Sequence, residues 1–394
     1  RAVIDDILFV PVSISYDQVL EIGSYLKESE GEKKEKESMK GLLSARKKLK
    51  TKYGNAYINF SQHTSLHQTM MDLFGHTTTS KLSKEDLDYL LQKLAFRTIN
   101  RINRGMFITP TSLVCCVLLQ GDKPAKPRET ILEDALALFN FLTSQQFFGE
   151  ISVETNFRKS PAMYLEKALD QLIHNGTISE DFDLLYFRES RKAMGAFHKN
   201  NVIHFLVTPA LVYFSLKNPA NRTNMDLLEA ECLRLRDLFK YEFFFSSTRK
   251  FKEEIRFLVR KFYEFPLSAE DPSFPLPPPP VKHQSFLDQP LLSFAESYWC
   301  VFHTLLRHIE PLNESQMLSE IRYTSNRFLL QKSLSCPESI NDFTYKAALQ
   351  MAIADGFVKF ENKSYIPGGK DLNLLQQQEA EWLQLCIQMK SGSC

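Results

Sequence analysis

The residues best suited to moving a proton are two histidines close in sequence. "HQTMMD", His67 to Asp72, has the H-x4-D spacing of a base and the carboxylate that fixes its tautomer, a pair able to strip a proton from a hydroxyl. His63 and His67, four apart in "HTSLH", could share one helix face and hold a metal, yet no glutamate follows the first and no third ligand is evident. With nine histidines in the chain, a downstream aspartate arises easily by accident, and no Gly/Arg-rich anion site surrounds this one. His63, His67 and Asp72 are therefore expected to be ordinary surface residues. His204 sits in the apolar "NNVIHFLVTP", where a core histidine satisfied by Asn200 and Asn201 is expected. No P-loop, dinucleotide glycine fingerprint or G-x-S-x-G occurs, and neither a metal nor a cofactor is expected.

Cations are better organised. Nine Lys and Arg fall between Lys33 and Lys52, among them Lys40, Arg46, Lys47, Lys48 and Lys50, with acids only at the start of the run. That order suits the macrodipole of a helix. Arg97, Arg101 and Arg104 recur at i, i+4 and i+7 on a second helix. Both stretches could face anionic lipid headgroups, at about 1 kcal/mol per basic residue, or a phosphorylated substrate; an ordinary solvated helix face is the competing reading.

These groups sit on a chain of 394 residues, long enough for two or three domains, with 48 Lys+Arg against 47 Asp+Glu. Near-neutral charge argues against a dedicated nucleic-acid binder. Seven scattered cysteines with no CxxC are not a disulfide framework and suit a reducing compartment. The longest apolar stretch, Val202 to Leu216, falls short of the roughly 20 residues a membrane span needs, and Pro209 interrupts it. Thirty-one Phe beside 14 Gly predict large helical cores packed with Phe and Leu.

To about Thr69 the pattern is α/β. "DDILFVPVSISYD" reads as a strand buried on both faces, "ESMKGLLSARKKLKTKYG" as a helix and "NAYINFS" as a second strand, an order that predicts a parallel βαβ crossover. Two such strands need neighbours, so the sequence is expected to start inside a domain. From about Leu82 the period becomes 3.6, with Ser83 as a cap, and helices follow to the end. A helix followed by a short β-like pair occurs at "YLEKALDQLIHNGTISEDFDLLYF" and "YKAALQMAIADGFVKFENKSYIP", with a degenerate third copy at "EEIRFLVRKFYEFPLSAED". Each is half of a winged-helix unit; the helices are near neutral, which favours packing over DNA binding. "PSFPLPPPPVKH" predicts an extended surface connector rather than an SH3-type ligand.

The opening block also carries a family likeness. Val10-Pro11-Val12, Tyr16-Asp17, Glu21, Gly23, Tyr25, Gly31 and the run Lys34 to Ser38 resemble the last motif block of the membrane-associated glycerol-3-phosphate acyltransferases, the bacterial form most of all. "GNAYINFSQ", "RINRG…SLVCCVLL", "HKNNVIHFLVTPAL" and "AIADGF" keep that family's order, although "FHKNN" departs from its usual Tyr-Arg-Asn. The resemblance implies transfer of an acyl group from acyl-CoA or acyl-carrier protein to glycerol 3-phosphate, giving lysophosphatidate, at the cytoplasmic face of a membrane. It implies that the catalytic H-x4-D and the Gly/Arg-rich phosphate block precede the first strand, so that no catalytic residue lies in this chain and the chain alone is inactive.

The expected fold is mixed: residues 1–75 as the C-terminal piece of an α/β acyltransferase domain, and 76–394 as a mostly α-helical domain with small winged-helix-like hairpins and a Pro-rich connector at 266–283. Val10, Pro11, Val12, Ser13 and Tyr16 are the expected wall of the acyl or glycerol-phosphate pocket, because an apolar strand end beside a polar turn is where a site opens in an α/β sheet. Plain sheet core is the competing reading for Val10, Val12 and Ile14. Expected partners are glycerol 3-phosphate, the thioester donor and an anionic membrane surface, without nucleic acid. The alternatives are a dihydroxyacetone-phosphate acyltransferase and a non-catalytic helical interaction module.

Overall fold

A computed structural model describes residues 5–17, 54–121, 125–144, 151–265, 274–308 and 310–391. The helix expected over 37–54, and with it Lys40, Arg46, Lys47, Lys48 and Lys50, lies outside the described residues.

The first described strands are β1 (Leu8–Phe9), β2 (Val12–Tyr16), β3 (Ala56–Phe60) and β4 (Thr64–Ser65). β1 pairs with β4 and β2 with β3, both antiparallel. The expected parallel crossover is therefore corrected. Val12-Ser13-Ile14-Ser15-Tyr16 is not a continuous apolar run, because the two serines give it period two. An antiparallel ribbon tolerates one solvated face, whereas a parallel sheet does not. The Val12↔Phe60, Ile14↔Ile58 and Tyr16↔Ala56 pairs leave an exposed apolar face, while Ser13 and Ser15 are buried on the other.

Helix α1 (Leu66–Phe74) starts where the Ser65 hydroxyl accepts from the Gln68 amide. Helix α2 (Lys84–Arg104) starts at the expected Ser83, which forms a capping box with Asp86. Met70 of α1 meets Leu90 and Leu94 of α2 in a small core of their own, so the boundary expected at 75 runs through shared apolar contacts.

The main body is built on α3 (Pro110–Leu118), whose nine residues are all buried, and on α6 (Glu189–Lys217), which buries most of its length from Val202 onward. Between them come α4 (Arg128–Thr143) and α5 (Pro161–His174); α7 (Met225–Phe239) and α8 (Thr248–Phe262) follow α6. The C-terminal part holds α9 (Leu292–Leu305), α10 (Glu314–Leu330), α11 (Asp342–Ala354) and α12 (Leu372–Lys390). These helices share one core rich in Phe and Leu, including Phe139, Phe157, Phe239, Phe262 and Phe302.

Two stretches of this body repeat one order. Apart from a short inserted strand and helical turn, α3, β6 (Ala125–Pro127), α4 and α5 lead into β8 (Ser179–Asp181) and β9 (Leu184–Tyr186). The inserted strand, β7 (Ser152–Val153), pairs in parallel with β5 (Phe107–Ile108). Likewise α9, β10 (Leu312–Asn313), α10 and α11 lead into β11 (Val358–Glu361) and β12 (Ser364–Pro367). In each, the first strand pairs antiparallel with the third, giving sheets ordered β6-β9-β8 and β10-β12-β11. Both hairpins turn through two residues of positive φ, Phe182-Asp183 and Asn362-Lys363, the signature of a tight hairpin turn. The third sequence echo falls on α8, and its end lies outside the described residues. The described part of the Pro-rich connector is tied to the body by the Tyr263 and Tyr213 hydroxyls, which donate to the carbonyls of Pro277 and Pro280.

Candidate functional site

The ribbon β2–β3 docks on the helical body through polar atoms. Gly105, just past α2, offers its carbonyl to the Ser13 hydroxyl at 2.7 Å and to the Asn59 amide at 3.0 Å. Ser15 accepts from the Phe107 amide at 3.0 Å, and the Tyr57 and Phe107 rings stack at 5.2 Å. Gly105 is needed here for space rather than for φ: a Cβ would lie 2.6 Å from Ser61 Oγ, 2.8 Å from Asn59 Nδ2 and 3.0 Å from Ser13 Oγ. At the ribbon's far end Asp17 accepts from the Asn55 amide and from the Tyr57 hydroxyl. Desolvation raises the Asp17 carboxyl and pushes the Tyr57 phenol up to about 12.

The expected pocket wall is thus split between two sides. Val10, Val12 and Tyr16 are exposed, as are Ile7, Leu8 and Ile14, and the register puts Val12, Ile14 and Tyr16 on one apolar face with Ile58 and Phe60. Pro11 and Ser13 are buried, with Ser13 spent on Gly105, so Ser13 serves as an anchor of the ribbon rather than as a group lining the same wall.

The arginine stripe divides too. One Arg101 nitrogen donates to the carbonyls of Gln62 and His63 and to the Thr64 hydroxyl. Arg97 donates to the Thr69 hydroxyl and lies 3.7 Å from Asp72. Both staple the β3–β4–α1 segment onto α2, and in this geometry their head groups are engaged by protein. Arg104 is exposed. Asp72 also accepts from the side-chain amide of Gln68, and His67 lies beside Asp6. Among the described residues, no group of three or more His, Cys, Asp or Glu is placed to hold a metal ion.

His204 differs from expectation. Its ring lies beside the backbone of Asn103 rather than being held by Asn200 or Asn201, and its Nε2 is buried without a partner. It lines a cavity of about 100 Å³ with Glu242 and Glu254, residues that carry no motif and so gave no sequence signal. A cleft of about 1300 Å³ lies between the end of α6, α7, the Pro-rich segment and α12. Arg234 bridges Glu231 and Glu381 there, and none of the residues expected at the pocket wall or on the arginine stripe lines it. Among the described residues, no helix is long and apolar enough to cross a membrane.

A family model described as the glycerol-3-phosphate acyltransferase C-terminal region matches residues 25–361. The chain belongs to that family. It is 24% identical over 363 residues to a Mycobacterium tuberculosis protein named as the acyltransferase plsB1, covering 88% of this chain and 56% of that one. It is 27% identical over 377 residues to the dihydroxyacetone phosphate acyltransferase of Homo sapiens, covering 90% and 54%. Over 222 residues it is 28% identical to the glycerol-3-phosphate acyltransferase of Pseudoalteromonas translucida, covering 55% and 27%. The chain spans about half the length of the first two of these relatives.

Proposed function

We propose that this chain is part of a glycerol-3-phosphate 1-O-acyltransferase of phospholipid synthesis. The observation that carries this reading is the family match over residues 25–361. In the reaction, the acceptor hydroxyl loses its proton to a histidine base and its oxygen attacks the thioester carbonyl. The ester C–O bond forms, the C–S bond breaks, and the thiol of acyl-CoA or acyl-carrier protein leaves with the proton. The base and its carboxylate belong to a segment outside these 394 residues. The apolar face of the ribbon, with Val10, Val12 and Tyr16, then lies against that segment as one wall of the α/β acyltransferase domain. The two repeated units are read as winged-helix-like packing modules behind it; their order, with the first strand paired to the third, supports this.

The enzyme works peripherally on the cytoplasmic face of a membrane, with Lys40, Arg46, Lys47, Lys48, Lys50 and the exposed Arg104 toward anionic headgroups. Charge reversal at Lys47, Lys48 and Lys50 is expected to weaken binding to anionic vesicles; unchanged binding counts against that contact. One observation favours a second reading, acylation of dihydroxyacetone phosphate: a relative named for it aligns over 90% of this chain. Competition between the two acceptors in the full-length gene product decides, and the first reading expects glycerol 3-phosphate to be preferred.

A further inference from the structure

The two repeated units close their hairpins on different residues. In the second the turn is Asn362-Lys363, and Asn tolerates positive φ. The first puts Phe182 at φ 47° in the same place, followed by Asp183 at 64°. A bulky ring suits that backbone poorly. This one is also 93% exposed, the highest value of any large apolar side chain among the described residues. Glu180, Asp181 and Asp183 surround it, exposed and unpaired among the described residues, and Leu184 beside them is exposed as well.

An aromatic ring set among three unpaired acids repels surfaces that carry phosphate, which excludes nucleic acid and anionic lipid. It fits a protein pocket with an apolar floor and a cation at the rim, where a buried ring serves as an interface anchor. The chain carries such a pocket itself. About 760 Å³ opens between the start of α6, the end of α10 and residues 332–340. Leu329, Leu330, Pro337 and Ile340 supply its carbon. Leu330, 86% exposed, is second only to Phe182 among the large apolar side chains described. Glu189 holds Lys192 at 2.8 Å and Asp342 holds Arg322 at 2.7 Å. Lys332 is left as the lining cation with no carboxylate partner among the described residues. The pocket adjoins the hairpin, since Glu189 follows Phe182 by a stretch of chain that spans at most about 25 Å. Phe182 is too exposed to occupy the pocket of its own chain.

We propose that this pocket takes the Phe182 tip of a second copy of the chain, with the ring on Leu329, Leu330 and Pro337 and the acids of the tip toward Lys332. Tip and pocket lie close enough on one copy for a two-fold axis to pass between them. Each copy then gives its tip and receives the other's, and the contact closes as a dimer. Two Phe side chains bury about 300–500 Å², well below the roughly 1,200–2,000 Å² of a stable complex, so the dimer is weak and depends on concentration. The contact uses neither the ribbon nor the segment proposed to carry the catalytic pair.

Sedimentation equilibrium of the 394-residue chain over a wide concentration range tests this, with dimer expected at the upper end. Phe182→Asn copies the second hairpin, and Leu330→Asp sets an acid against the acidic tip. Both positions are exposed, so both variants should fold as the wild type does. Each should weaken dimerisation about tenfold or more. Mixing the two variants restores one intact tip on one intact pocket, so heterodimer should exceed either homodimer. A monomer at every concentration, a dimer that Phe182→Asn leaves as tight, or a mixture no more associated than its parts overturns the proposal. So does a full-length gene product that stays monomeric, which would assign the tip or the pocket to the additional segment.

Discussion

Replacing Gly105 by alanine tests how the ribbon is held. Gly105 has helical φ, so alanine suffers no backbone strain there. The new methyl would instead meet Ser61 Oγ, Asn59 Nδ2 and Ser13 Oγ, all at or inside 3.0 Å. Those side chains can rotate away only by surrendering the bonds that Ser13 and Asn59 make to the Gly105 carbonyl. At about 0.5–1.5 kcal/mol net for each bond, the ribbon loses about 1–3 kcal/mol of attachment. That is about a 5- to 150-fold rise in the open population. Ser15 keeps its bond to the Phe107 amide, so the ribbon loosens without leaving. The readout is amide hydrogen exchange across β2 and β3, with α11 as the internal control. Faster exchange confined to the ribbon is expected, with Ser13→Ala giving a smaller effect because it removes one bond. Unchanged protection at the ribbon, or an equal loss throughout the protein, would refute this account of its docking.

Further expectations concern the helical body and the cavity. Glu296, fully buried, accepts from the Ser335 amide at 2.7 Å and the Cys336 amide at 3.0 Å, and pairs with Lys390 at 2.8 Å. Glu296→Ala strands the two amides and takes the carboxylate from Lys390, which keeps only its bond to the Ser333 carbonyl, and should cost about 3–5 kcal/mol, read as a lower urea midpoint; an unchanged midpoint would contradict the network. Glu242 has a folded pKa of about 7 against an ordinary 4.5, so the stability it contributes is present below 4.5 and lost as pH rises through about 7. Wild type should therefore lose of order 1–2 kcal/mol relative to Glu242→Gln between pH 5 and 8, discounted for the residue's partial exposure. Parallel pH profiles would show that Glu242 is not perturbed. His198, His204 and His283, each pushed down to about 4 by burial, act oppositely: their contribution is lost as pH falls from 6.5 through 4. A triple replacement by glutamine should flatten the acid limb of the midpoint curve, and an unaltered limb would speak against buried neutral rings.

Local signals were legible and long-range ones were not. Ser83 announces the start of α2, and both helix-hairpin echoes sit where paired strands follow a helix. The ribbon's alternation is hard to see in the sequence because a serine is small enough to pass in an apolar run, although Ser13 and Ser15 alternate with Val12, Ile14 and Tyr16. Spacing placed Arg97, Arg101 and Arg104 on one stripe but could not reveal that Gln62, His63 and Thr69 fold back onto it. The His204–Asn103 contact and the Glu296–Lys390 pair join residues about a hundred apart, which no local period encodes. Glu242 became informative only through the cavity it lines.

The most direct measurement is transfer of a labelled acyl group from a thioester to glycerol 3-phosphate by the full-length gene product and by the 394-residue chain separately. Labelled lysophosphatidate from the first and none from the second is the predicted result. Turnover by the 394 residues alone, or no transfer by either, would contradict the assignment of the catalytic pair to a segment beyond them.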